Sequence, residues 1–88
     1  MAHIPAKEER LIEESGATLC GHPLCHRLLA DGQGYSIEVR LGDESAKVPA
    51  GADLLFAATA YTAIARGAVT PCTLADVMAD LTKEWRGA

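Results

Sequence analysis

Seven consecutive residues, Tyr35-Ser36-Ile37-Glu38-Val39-Arg40-Leu41, carry an apolar or aromatic side chain at every second position and a polar one between. A β-strand sends successive side chains to opposite faces, so this run reads as a half-buried antiparallel strand. Its Tyr35, Ile37, Val39, Leu41 face needs a covering layer, while Ser36, Glu38 and Arg40 can meet water. Such a strand also needs neighbours. Leu24 to Ala30 is a suitable partner on one side, joined through Asp31-Gly32-Gln33-Gly34, whose glycines accept the positive φ of a tight loop. On the other side Gly42-Asp43-Glu44 reverses the chain into the short strand Ser45-Ala46-Lys47-Val48, which Pro49 is expected to end. The expectation is a three-stranded meander. Thr18 to Gly21 is a candidate further edge piece, broken from the next strand by Pro23.

Outside this region the period is helical. Pro5 suits a first helical turn and Gly16 the position past a helix end, so a short helix is expected between them. Ile4, Leu11 and Ile12 form its narrow apolar stripe, and Glu8, Glu9, Glu13 and Glu14 make the remainder acidic. From about Ala52 to Arg66, closing at Gly67, the residues Leu54, Ala57, Ala58, Tyr61, Ile64 and Ala65 fall on one helix face. Leu55 and Phe56 point elsewhere and leave surplus apolar surface for a partner. The last segment sets Leu74, Val77, Met78, Leu81 and Trp85 at helical spacing, with Thr73 as candidate N-cap and Asp76 three residues on. Thr70-Pro71 could start that helix a turn earlier. Assembled, the predicted order is α-β-β-β-α-α: an α+β fold with two C-terminal helices on one face of a three-stranded antiparallel sheet.

Length and composition bound this reading. A chain of 88 residues that is 49% hydrophobic can bury roughly 60–65% of its unfolded surface, enough for one core. Residues 1–88 are therefore read as a single compact domain. The longest apolar runs fall short of the roughly 18 residues that span a bilayer, so no membrane partner is expected. The first ten residues lack a basic stretch followed by an apolar one, which predicts a cytoplasmic location. Three cysteines, Cys20, Cys25 and Cys72, are an odd number that makes a disulfide framework a poor reading.

Four potential metal ligands fall within seven residues, Cys20, His22, Cys25 and His26. Their composition suits zinc, and a small zinc-binding module is the alternative reading. Geometry opposes it: Cys25 and His26 are adjacent and would point to opposite faces of a strand. The expectation is no metal and no cofactor. Cys72, near the start of the last helix, has the helix dipole to favour a thiolate but no matching histidine signature, so no catalytic role is assigned. Gly32, Gly34 and Gly42 belong to reversals and not to a phosphate-binding strand-to-helix turn. The two C-terminal helices could be taken for a helix-turn-helix DNA-binding regulator, but the polar side of the last one carries Asp76, Asp80 and Glu84 where a recognition helix needs cationic or amide side chains. With 12 acidic residues against 8 basic ones, direct nucleic-acid binding is not expected.

The same acidic stripe has a positive use. Asp76, Asp80 and Glu84 on the last helix, Glu9 and Glu13 on the first, and Leu55 with Phe56 are the candidate partner-binding residues. The function expected is a non-enzymatic protein-binding module that occupies a basic surface of a nucleic-acid-handling complex. The absence of Asn, the scarcity of Lys and the abundance of Ala suit a high-GC bacterial or phage gene. In general profile the chain resembles small phage inhibitors of bacterial defence systems, anti-CRISPR proteins among them, which implies an accessory or inhibitory role. A homodimer through Leu55 and Phe56 is a further expectation.

Overall fold

The computed structural model describes residues 9–87. Four antiparallel strands in sequential order form one sheet: β1 (Arg10–Leu19), β2 (His22–Ala30), β3 (Tyr35–Leu41) and β4 (Glu44–Gly51). Helix α1 (Leu54–Arg66) follows, then a 3₁₀ turn (Pro71–Thr73) that leads into α2 (Leu74–Gly87). The fold is α+β with two C-terminal helices on an antiparallel sheet, but the sheet has four strands where three were expected.

The extra strand replaces the expected first helix. Arg10–Leu19 pairs with β2 along its whole length, so Gly16 lies inside a strand and not beyond a helix end. Leu and Glu are good helix formers, yet propensity is worth only tenths of a kcal/mol per residue and yields to a sheet edge that offers a full ladder of hydrogen bonds. Pro5, on which that helix was to start, lies outside the described residues. The expected edge piece at Thr18 is the end of β1, and Cys20-Gly21 is the turn. Both turn residues have positive φ, 52° at Cys20 and 81° at Gly21, the requirement of a type I′ hairpin.

β3 spans the seven alternating residues Tyr35 to Leu41. β4 runs on through Pro49 to Gly51 instead of stopping before it. Gly42-Asp43 is a two-residue turn, so Leu41 and Glu44 form a hydrogen-bonded pair and the ladder alternates from there. That phase puts Pro49, opposite Ser36, where its missing N–H would face away from β3. A proline is tolerated on an edge strand in that position.

One face of the sheet is the core. Leu24, Leu28, Ile37, Val39 and Ala50 from the strands meet Ala57, Ala60, Tyr61 and Ile64 of α1, and Leu74 and Met78 of α2. Leu54, placed on the buried face by its spacing, is instead half exposed at the start of α1. Asp53 caps that helix by accepting from the Leu55 N–H at 2.9 Å. Thr73 does not cap α2: it lies in the 3₁₀ turn and its hydroxyl donates to the Thr70 carbonyl. The start at Thr70-Pro71 is the one the chain uses. The helices cover β2 to β4, whereas β1 pairs with β2 and extends past that cover.

Candidate binding surface

The opposite face of the sheet is charged and paired within itself. Arg27 on β2 donates from Nε to Glu14 on β1 at 2.6 Å and approaches Glu38 on β3 at 3.7 Å. Arg40 meets Glu38 at 3.9 Å, and Lys47 on β4 pairs with Glu9. The Glu14 hydrogen bond holds the Arg27 guanidinium above its ordinary pKa. Cross-strand pairs of opposite sign support a sheet surface and leave little net field beyond it. Ser36, Glu38 and Arg40 thus occupy the polar face read from their alternation.

Asp76, Asp80 and Glu84 behave differently. They stand exposed along the outer side of α2, one helical turn apart, and none makes an ion pair with a described residue. Lys83 is exposed on the same helix and likewise makes no ion pair with a described residue. Glu9 and Glu13 do not join this stripe. Glu9 precedes β1 and is engaged by Lys47, and Glu13 lies exposed on β1, so the expected second acidic helix is absent.

Leu55 is 67% exposed and Leu54 50%. Phe56 is half-buried and meets Trp85 of α2 edge to face, with ring centroids 5.3 Å apart at 62°. The pair lines a groove of about 340 Å³ together with Pro49, Ala50, Gly51, Ala52, Asp53 and Thr82. At 100° per residue, Thr82 and Glu84 flank Trp85 on opposite sides of α2. The apolar groove and the acidic stripe therefore adjoin along Trp85 without merging. The Phe56–Trp85 contact was not foreseen, because Trp85 extends the buried period of α2 and its spacing alone gives no sign that the helix end runs out past the core.

The Cys20 to His26 cluster is dispersed. Cys20 and His22 are exposed at the hairpin turn, Cys25 lies on the charged face and donates weakly to Glu14, and His26 is 2% exposed on the core face. His26 uses Nε2 to donate to the Val69 carbonyl at 3.0 Å, which ties β2 to the segment between the helices. Among the described residues no group of three or more His, Cys, Asp or Glu converges as a metal site. Cys72 is exposed in the 3₁₀ turn beside Thr70, 3.5 Å from its hydroxyl.

A polar chain crosses the core edge beside His26. The Tyr61 hydroxyl donates to the His26 carbonyl at 3.3 Å, so the Ser15 hydroxyl, 2.7 Å away, donates to Tyr61. Burial pushes the Tyr61 phenol up, the Ser15 hydrogen bond opposes the rise, and the charge of Glu13 adds to it. This contact holds the uncovered strand β1 to α1.

Comparison of the chain with protein-family models, with curated proteins and with solved structures finds no match.

Proposed function

We propose that the protein is a non-enzymatic binding module that docks on a basic protein surface through the acidic stripe of α2. The carrying observation is the contrast between two charged faces. Glu9, Glu14 and Glu38 at the sheet are matched by arginine and lysine, whereas Asp76, Asp80 and Glu84 project with no ion pair to a described residue. Unmatched like charges in a row repel one another and gain when a cationic surface approaches. Leu54, Leu55 and the Phe56–Trp85 pair supply apolar and aromatic contact beside the stripe, the combination that anchors interfaces.

A basic partner surface of this kind belongs to nucleic-acid-handling proteins, and occupying it would block the nucleic acid. The reading is accordingly a small bacterial or phage accessory protein acting by competitive occupation, in the manner of anti-defence inhibitors. No direct nucleic-acid contact is part of it.

The test is affinity capture from a bacterial host by the wild-type protein and by the triple variant Asp76→Lys, Asp80→Lys, Glu84→Lys. A partner with a basic contact surface, held by wild type and weakened at least tenfold by the triple variant at low salt, with both proteins folded, is the expected result. Equal binding of a partner by both proteins overturns the electrostatic reading.

A further inference from the structure

We propose that the outer edge of β1 pairs with the same edge of a second copy, about a two-fold axis through Gly16, to give one continuous eight-stranded sheet. The hydrogen-bond phase of β1 follows from its turn. Cys20-Gly21 is a two-residue hairpin, so Leu19 and His22 exchange both backbone bonds, and the ladder then alternates. Leu19, Ala17, Ser15 and Glu13 point their backbone groups at β2. Thr18, Gly16 and Glu14 point theirs outward. Pro23 agrees with this phase, since it stands opposite Thr18, where β2 owes no N–H to β1, and its carbonyl accepts from Gly42 at 3.1 Å.

The regular part of the edge has definite ends. A bulge between Leu11 and Glu13 breaks the ladder at one end and the turn ends it at the other. The seven residues from Glu13 to Leu19 remain, and their midpoint is Gly16. A two-fold axis there sets Gly16 against Gly16 and Glu14 against Thr18 as hydrogen-bonded pairs. Ser15 then faces Ala17 in the closer, non-hydrogen-bonded pairs, where small side chains fit. Glu13 faces Leu19. No like charges oppose one another, and every outward N–H and C=O of the segment finds a partner.

Gly16 itself supports the axis. Its φ is negative, and a Cβ there would meet only the Leu24 carbonyl at an ordinary 3.9 Å. The protomer thus gives no reason for a glycine in the middle of a strand, where it weakens the element; close approach of another backbone is a standard reason. The same edge has no cover from α1 or α2, and an uncovered regular edge is a template for a further strand.

Sedimentation equilibrium from about 1 µM to 1 mM tests the pairing with the full chain. The expected mass rises from 9.3 kDa toward twice that value. Thr18→Glu places a carboxylate opposite Glu14 of the second copy, twice per dimer, and should weaken association several-fold; Thr18→Lys should strengthen it by a similar factor. Gly16→Pro removes an outward N–H without touching a bond to β2 and should abolish the dimer. Leu55→Asp should leave it intact. A monomer at every concentration overturns the proposal. So does a dimer that responds to Leu55→Asp and not to either charge at position 18, which would place the contact on the helices.

Discussion

At the scale of single residues, two positions carry costs that the sequence does not advertise. Cys20 adopts φ 52° in the first turn position of the β1–β2 hairpin, a region where a side chain with a Cβ is disfavoured by about 1–2 kcal/mol. Asparagine tolerates it best, and Asn-Gly is the preferred type I′ pair. Cys20→Asn should therefore stabilise the fold by about 0.5–1 kcal/mol, read as a rise in the denaturant midpoint with unchanged slope. A decrease would mean that the thiol has a structural role the turn geometry does not show. Tyr61 presents the opposite case, a polar group placed at the core edge. Its phenol is raised above the ordinary value of about 10, chiefly by burial. Below pH 10 both folded and unfolded chains hold the proton and the group contributes no pH dependence. As the pH rises further the unfolded chain ionises first, so stability falls until the folded phenol ionises as well. Tyr61→Phe should remove this alkaline slope. At neutral pH the same change should cost about 1 kcal/mol, because Ser15 and the His26 carbonyl lose their partner. Chemical denaturation at pH 7 and at several pH values above 10 measures both effects. An alkaline slope that persists undiminished in the variant would assign it to other groups.

At the scale of elements, legibility followed how far each residue's neighbours lie along the chain. β3 could be read because alternation and burial coincide in it: Ile37 and Val39 are buried, while Ser36 and Glu38 face the charged side. α2 could be read for the same reason, with Leu74 and Met78 buried on one side and Asp76 and Asp80 exposed on the other. β1 could not. Almost every residue of it is exposed, so no burial imposes a period of two, and Glu13-Glu14 after Leu11-Ile12 imitates a helix stripe. What fixes β1 is pairing to β2, a partner reached only through the Cys20-Gly21 turn, and cysteine at a type I′ position hides that turn from a reading based on turn-forming residues. Pro49 misled in the other direction, since a proline ends a central strand but not an edge strand whose N–H side faces away from the sheet. For the candidate surface, Asp76, Asp80, Glu84 and Leu55 are exposed on the helices where their spacing placed them. Glu9 and Glu13 moved with β1 into the sheet, and the contact of Phe56 with Trp85 depends on how α1 and α2 lie over β4, which periodicity within either helix cannot convey.

At the scale of the whole molecule, the helices lie over three strands of a four-stranded sheet, and this makes β1 the separable part. Core strands β2 and β3 are held by neighbours on both edges and by packing beneath. β1 has one neighbouring strand, few buried side chains and, among the described residues, one side-chain tether to the helices, Ser15 to Tyr61, beside the surface pairing of Glu14 with Arg27 and Cys25 of β2. Regions with little apolar burial open at lower free energy than the global transition, so β1 should detach before the rest unfolds. Native-state hydrogen exchange at low protein concentration, where self-association is negligible, resolves this residue by residue. The inward amides of Ser15, Ala17 and Leu19 should exchange through an opening of lower free energy than those of Ile37 and Val39. The outward amides of Glu14, Gly16 and Thr18 should be nearly unprotected. Ser15→Ala removes the tether and should lower the protection of β1 by a further amount on the order of 1 kcal/mol, leaving the low-energy opening confined to that strand. Exchange of the β1 amides only through global unfolding, with the same denaturant dependence as β3, would show that the two-layer cover extends its cooperativity to the edge after all. In that event the charged ladder from Glu14 through Arg27 to Glu38 would have to supply the coupling, and raising the salt concentration should then release β1 where it otherwise would not.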